Sequence, residues 1–229
     1  LLALVGCATR IWNQPVTPLD ALDGYDFHPR LPVNDDELFV VLAFSGGGTR
    51  SAAFAYGVLE KLRDTPITVH GQTRRLLDEV DVITSVSGGS FTAAYYGLFG
   101  ERIFEDFQQR FLKRDVQGEL LAQMLNPGNL LELSSSEFNR SDLAARWLGR
   151  SVFEDKTFAA MARGNLPLVI INASDLNNGS TFSFIQPQFD FLCSSLMSYP
   201  VAQAVMASAA VPVAFAPIAL RNYPECPQR

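Results

Sequence analysis

Val80-Asp81-Val82-Ile83-Thr84-Ser85-Val86-Ser87-Gly88-Gly89-Ser90, running on into Phe91-Thr92-Ala93-Ala94-Tyr95-Tyr96, is the stretch that decides the fold. It begins apolar and β-branched, turns on small residues and glycines, and ends alanine-rich and helix-like. The pattern predicts a strand, a sharp turn and a helix, with Ser87 at the turn. A nucleophile elbow needs this layout, because the tight backbone lifts the hydroxyl above a sheet edge while the N-terminus of the next helix lies beneath it. The flanking residues must be small, since strand and helix pass close together. Ser85 stands where the first glycine of G-x-S-x-G would be, and Gly89 holds the second place. A serine in a glycine-rich turn is also simply a turn, so this stretch alone leaves both readings open.

A second stretch adds weight. Leu38-Phe39-Val40-Val41-Leu42-Ala43-Phe44 reads as a fully buried strand, followed directly by Ser45-Gly46-Gly47-Gly48-Thr49-Arg50. Ser51 through Leu62 reads as a helix, with Ala52, Ala53, Tyr56, Leu59 and Leu62 at helical spacing. Three glycines between strand and helix expose backbone N–H groups, which can cradle a phosphate or the oxyanion of a tetrahedral intermediate. No Lys-Ser/Thr follows the glycines, so this is not a Walker loop. Ser51 in the third glycine position makes it a poor dinucleotide fingerprint.

Gly46-Gly47-Gly48-Thr49-Arg50 followed by Ser85-Val86-Ser87-Gly88-Gly89-Ser90 resembles the patatin-like phospholipase family of lipid acyl hydrolases. Leu168-Val169-Ile170-Ile171-Asn172-Ala173-Ser174-Asp175-Leu176 with Gly179 to Phe184 is similar to that family's strand pair after its helical insert. Ala207-Ser208-Ala209-Ala210-Val211-Pro212 with Phe215-Ala216-Pro217 resembles its late A-S-x-A-x-P segment. The resemblance covers most of residues 37–220 and implies an α/β fold of three layers, a central, mostly parallel sheet flanked by helices, with a helical insert. It also implies a Ser–Asp dyad with Ser87 as nucleophile, an oxyanion hole at Gly46, Gly47 and Gly48, and hydrolysis of lipid acyl esters.

The family's aspartate lies in a D-G-G or D-G-A motif after the A-S-x-A-x-P segment, and no such motif occurs between there and Arg229. Asp23-Gly24 is far upstream, and Asp175 and Asp190 do not precede glycine. Asp175 reads as a turn residue in Asp-Leu-Asn-Asn-Gly. The catalytic aspartate is therefore expected outside these residues, with the chain taken as a fragment.

With 229 residues, 48% of them apolar, the chain suffices for one sizeable core. A formal charge of −6 argues against nucleic acid as a partner. No Cys/His cluster has metal spacing, so no metal and no cofactor are expected. His28 and His70 both precede Ser87, whereas α/β-hydrolase triads run serine, acid, histidine, which favours a dyad. Leu1 to Gly6 looks like the end of a signal-peptide apolar core, and Leu4-Val5-Gly6-Cys7 resembles a bacterial lipobox. That resemblance implies acylation of Cys7, and Ala8 after it the outer membrane, on its periplasmic or surface face. The alternative is an N-terminal strand with an incidental cysteine.

The expected organisation is thus residues 1–7 as the end of a lipoprotein signal peptide, 8–36 as a proline-broken, acidic tether or strap, and 37–229 as the hydrolase domain. Residues 101–114 show an apolar stripe of Ile103, Phe104, Phe107, Phe111 and Leu112, read as core-facing. Residues 118–162 read as short helices bordering the active-site cleft, with capping turns at Asn139 to Asp142 and Glu154 to Thr157. Thr65 to Thr73 reads as a loop, and Pro200 to Leu220 as an alanine-rich helix and then a strand. Cys193 and Cys226 could pair in an oxidising compartment, but separate thiols are at least as compatible with the sequence. Two other functional classes stay open, a serine esterase on non-phospholipid esters and a non-catalytic lipid- or partner-binding lipoprotein on the same scaffold.

Overall fold

The computed structural model describes residues 10–16, 24–25, 38–163, 166–224 and 226. Cys7 and His28, and with them the lipobox, lie outside the described residues. The central sheet has four strands in the order β2 (Val40–Phe44), β5 (Val80–Val86), β6 (Leu168–Asp175) and β7 (Ser180–Ser183). β2, β5 and β6 run parallel, and β7 closes the edge antiparallel to β6. The first three are the β-branched runs, and parallel pairing follows from the helical crossovers between them. At the start of β2 the register slips between Val40 and Val41, where the Asp81 carboxylate accepts the Val40 N–H at 2.8 Å.

Helices α1 (Gly48–Arg63), α2 (Gly88–Phe99) and α9 (Val201–Ala209) form a layer on one sheet face, with α2 between the other two. Leu42, Ile83 and Val169 share this face, as do Phe44, Ser85 and Ile171. Here β and helix backbones approach closely. A Cβ on Gly97 would lie 2.6 Å from Val169 Cγ2, so only glycine fits. On the opposite face Val41 is 50% exposed, so the strand read as fully buried is covered by helices on one side only. Outside the helix layer, α6 (Arg140–Leu148) packs on α9. The predicted stripe at 101–114 is core-facing: α3 (Ile103–Phe107) and a π-helical turn (Gln108–Leu112) bury Ile103, Phe107 and Phe111.

The insert is helical, as its pattern predicts. α4 (Val116–Leu125) and α5 (Pro127–Leu133) bury no side chain fully and expose Leu121, Leu125, Leu130 and Leu131. Asn139 and Asp142 form a reciprocal capping box at the start of α6. The second predicted cap differs: Thr157 caps α7 (Phe158–Ala162) without a side-chain hydrogen bond, while Glu154 and Asp155 make a left-handed turn.

Three other expectations need correction. Residues 65–73 are not a loop but most of a hairpin, β3 (Pro66–Val69) and β4 (Gln72–Arg75), turned at His70 and Gly71 with φ of 49° and 75°. Those two positive φ values are the geometry of a type I′ turn, which matches strand twist. No strand forms after α9 among the described residues, because Pro212 and Pro217 interrupt the donor row and side chains take the backbone groups instead. The Asn13 amide accepts from Arg221 N–H and donates to Arg221 C=O, at 2.7 and 2.8 Å, acting as a single strand rung. Finally, Cys193 and Cys226 are disulfide-bonded rather than separate thiols, with Cα atoms 5.0 Å apart.

The segment read as a tether is fastened where it is described. β1 (Gln14–Pro15) pairs antiparallel with β8 (Ser194–Ser195), ahead of which lies α8 (Gln186–Asp190). Tyr25 is 1% exposed, and its hydroxyl both donates to Val169 C=O and accepts from Val169 N–H. Those groups lie on the β6 edge below the reach of β7, so the tyrosine satisfies what a missing strand would. Leaving either buried group unpaired costs about 1–3 kcal/mol.

Candidate active site

β5 ends at Val86, α2 begins at Gly88, and Ser87 between them adopts φ 52°, ψ −120°. A non-glycine residue there carries backbone strain of about 1–3 kcal/mol, held only by its surroundings. Those surroundings are visible. A Cβ on Gly89 would lie 2.6 Å from Phe44 Cβ, and one on Gly88 would lie 2.8 Å from Gly48 N. Glycine at both positions lets the start of α2 pass directly against the end of β2 and the start of α1.

Ser85 departs from the glycine of the motif without strain. Its side chain points to the helix face, where its hydroxyl contacts Ile170 C=O at 3.3 Å and accepts from Ser90 Oγ at 3.1 Å. The position needs a small residue with room on the helix side, and serine meets that.

The glycine loop meets the elbow. A Cβ on Gly46 would lie 3.3 Å from Ser87 Cβ and 3.9 Å from Ser87 Oγ, so Gly46 borders the candidate nucleophile directly. Gly47 and Gly48 have φ of 140° and 63°, values that favour glycine, and α1 starts at once. No side chain caps α1 at Gly47 or α2 at Ser87. Two helix N-termini with uncapped N–H groups therefore flank the Ser87 hydroxyl, and each favours negative charge there. Ser51 Oγ donates to Ser45 C=O and ties the loop to the first turn of α1. A depression of about 420 Å³ opens beside the elbow, lined by Ala43, Ser45, Thr84, Val86, Ser174 and Thr181.

Among the described residues, no side-chain hydrogen bond reaches Ser87 Oγ, and no group of His, Cys, Asp or Glu is arranged to hold a metal. Asp175 sits in its turn, accepting from Asn177 N and Asn178 Nδ2. Arg50 is exposed in the first turn of α1 and makes no ion pair among the described residues. Sequence reasoning singled out Ser208 only as part of a segment. The structure places its hydroxyl 2.8 Å from the Ser87 N–H, 2.6 Å from Asn172 C=O and 3.0 Å from Ser90 Oγ. The insert reaches the segment after α9, with Arg140 donating to Val213 C=O and Ser141 Oγ to Ala216 C=O.

These features define an α/β protein with a serine on a strand–helix elbow beside a glycine-rich helix start. The patatin-like phospholipase family profile matches residues 42–225, and the chain belongs to that family. A search of curated proteins found no match. Among solved structures, the chain is similar to human GIVD cytosolic phospholipase A2 in complex with a methyl γ-linolenyl fluorophosphonate inhibitor and terbium chloride, with 19% identity and a TM-score of 0.43. That likeness covers 75% of this chain and 29% of the other, so the chain spans less than a third of that protein's length.

Proposed function

We propose that this chain carries the nucleophile and oxyanion hole of a lipid acyl hydrolase of the phospholipase A or lysophospholipase type. The observation that carries the reading is Ser87, strained at φ 52° with Gly46 against it and two uncapped helix starts beside it. Ser87 Oγ attacks the ester carbonyl carbon as its proton passes to a base. The oxyanion is held by N–H groups at Gly46, Gly47 and Gly48, each such donor being worth about 3–4 kcal/mol in comparable sites. Collapse breaks the bond to the leaving alcohol, which takes the proton from the base, and water then releases the fatty acid from the acyl-enzyme. The base is an aspartate supplied by chain outside the described residues, partly desolvated so that its pKa rises towards its task. Family membership supports both the dyad and the lipid substrate.

The same reading includes a lipid anchor at Cys7, holding the enzyme at a bacterial outer membrane as a lipoprotein. The lipobox-like Leu4-Val5-Gly6-Cys7 supports it, and the disulfide agrees with an oxidising compartment. No described helix is long and apolar enough to cross a membrane. Fluorophosphonate labelling of the complete protein, beside Ser87→Ala and with the modified peptide located by mass spectrometry, tests the nucleophile. Label on Ser87 that vanishes in the variant is the expected result. A folded protein that takes no label leaves a binding lipoprotein on this scaffold as the better reading.

A further inference from the structure

We propose that Ser208 is the positioning residue of Ser87: its hydroxyl stands in for the next rung of the β5–β6 ladder and holds the nucleophile's peptide in its turned conformation. The inference rests on Ser87 being the nucleophile. β5 and β6 are paired in parallel up to Val86 and Asn172. Continued regularly, that ladder would bring the Ser87 N–H onto the Asn172 carbonyl. Instead one oxygen is inserted between them. The Ser87 N–H donates to Ser208 Oγ at 2.8 Å, and the Ser208 hydroxyl donates to Asn172 C=O at 2.6 Å. A hydroxyl can do both at once, having one proton to give and two lone pairs to receive.

The inserted oxygen separates the two strands where the elbow must leave the sheet. The Ser87 N–H belongs to neither β5 nor the α2 ladder, and its hydrogen-bond partner is Ser208. Without that acceptor the peptide between Val86 and Ser87 is free to rotate or to close directly on Asn172. Either movement carries Ser87 Oγ away from Gly46 and the start of α1. The remaining lone pair of Ser208 faces Ser90 Oγ at 3.0 Å, and Ser90 in turn reaches Ser85 Oγ at 3.1 Å. Ser90 has one proton for two oxygens, so it cannot replace Ser208 as the fixed link. Ser208 lies in the last turn of α9, 121 residues from Ser87, so the nucleophile's geometry depends on the docking of that helix.

The test measures, on the complete protein, the fluorophosphonate labelling rate of Ser87, kcat and KM on a lipid ester, and thermal unfolding. Ser208→Ala should slow labelling and lower kcat about 10–100-fold, the effect of misplacing a reacting atom by a fraction of an ångström to 1 Å. KM should stay within about twofold, since substrate binding is not what the hydroxyl supports. Ser208→Thr, which keeps the hydroxyl, should recover most of the rate. Ser85→Ala removes a hydroxyl of the same buried chain without touching the Ser87 N–H; it should lose stability yet label within about threefold of wild type. Should Ser208→Ala not fold, Ser208→Cys replaces it, with labelling expected to fall in the order wild type, Thr, Cys. Wild-type labelling rates in Ser208→Ala or Ser208→Cys, or equal slowing in Ser85→Ala, overturn the positioning role. No label on folded wild type overturns the nucleophile reading itself, and this proposal with it.

Discussion

Replacing Gly88 by alanine drives a methyl group into the place where the elbow touches the glycine loop. An ideal Cβ there lies 2.8 Å from Gly48 N and 2.9 Å from Gly48 C, and closer still to the Gly48 carbonyl oxygen. All three are backbone atoms, so no side chain can swing aside. Reaching ordinary contact near 3.5 Å moves the start of α1 away from α2 by roughly 0.6–1.3 Å. Overpacking of this kind costs about 1–3 kcal/mol. For a domain of this size that lowers Tm by roughly 3–10 °C. The N–H groups of the α1 start retreat from Ser87 Oγ by the same distance, and a misplacement approaching 1 Å costs about 100-fold in rate. Gly57→Ala, midway along α1, is the matched control, since a Cβ there meets nothing within 4 Å beyond the helix's own backbone. It should gain up to about 1 kcal/mol of stability and leave labelling unchanged. The measurements are the fluorophosphonate labelling rate of Ser87 and the melting temperature of each variant. If Gly88→Ala melts early but labels at the wild-type rate, the start of α1 is not part of the oxyanion hole and the reasoning fails.

Two further outcomes follow from other parts of the molecule. Reducing Cys193–Cys226, or replacing Cys226 by serine, frees a loop of 33 residues' separation. Calorimetry with and without reductant should show about 3–4 kcal/mol lost, and an unchanged Tm would mean that the strap contacts already constrain this loop. The second concerns acid. Burial alone would raise the Asp106 carboxyl, but the Tyr95 hydroxyl, Arg102 and Arg110 hold it below its ordinary value, and Arg102 does the same for Glu154. Folded carboxyls with lowered pKa contribute stability above their unfolded values, near 4, and lose it as pH falls through the folded ones. Arg102→Gln should therefore melt earlier at pH 7, by no more than about 1 kcal/mol per pair, with the gap closing below about pH 4. A gap that persists or widens in acid would assign the effect to packing of Arg102 on Phe99, whose ring centroid lies 4.5 Å from the guanidinium carbon.

Much of the scaffold was legible because its strands and glycines carry unambiguous constraints. The runs at 80–86 and 168–175 carry the β-branched residues of inner parallel strands, whereas 40–44 has the same composition but is half-exposed, because an apolar run does not tell an edge strand from an inner one. The family resemblance sets Ser87 beside Gly46, and the structure supplies the reason: the strand–glycine–helix and strand–serine–helix units lie on neighbouring parallel strands and end at the same side of the sheet. What stayed hidden was held by side chains at long range. Ser208 carries no local signal beyond a small residue near a helix end, and its role comes from meeting Asn172 and Ser87 in space. The Asn13 rung on Arg221 and the Tyr25 hydroxyl on Val169 are likewise invisible to periodicity. The β3–β4 hairpin escaped because Gln72-Thr73-Arg74-Arg75 is polar throughout and His70-Gly71 is an uncommon pair for its turn. The disulfide could not be read because pairing depends on Cα approach, which spacing does not report.

The clasp between β1 and the 194–223 region also sets an order of events in time. Asn13 bonds partners 181 and 208 residues away, at Ser194 and Arg221. Contacts of such sequence separation pay loop-closure entropy before they return anything, so the sheet and its helices can assemble first and the strap closes over them afterwards. Whichever compartment the chain folds in, residues 10–16 emerge first and wait for partners about 200 residues further on. Through that interval Trp12, whose ring centroid lies 5.2 Å from the Arg10 and 4.2 Å from the Arg221 guanidinium carbon in the finished fold, lacks its Arg221 contact. Its fluorescence is thus a clock for the last step of folding.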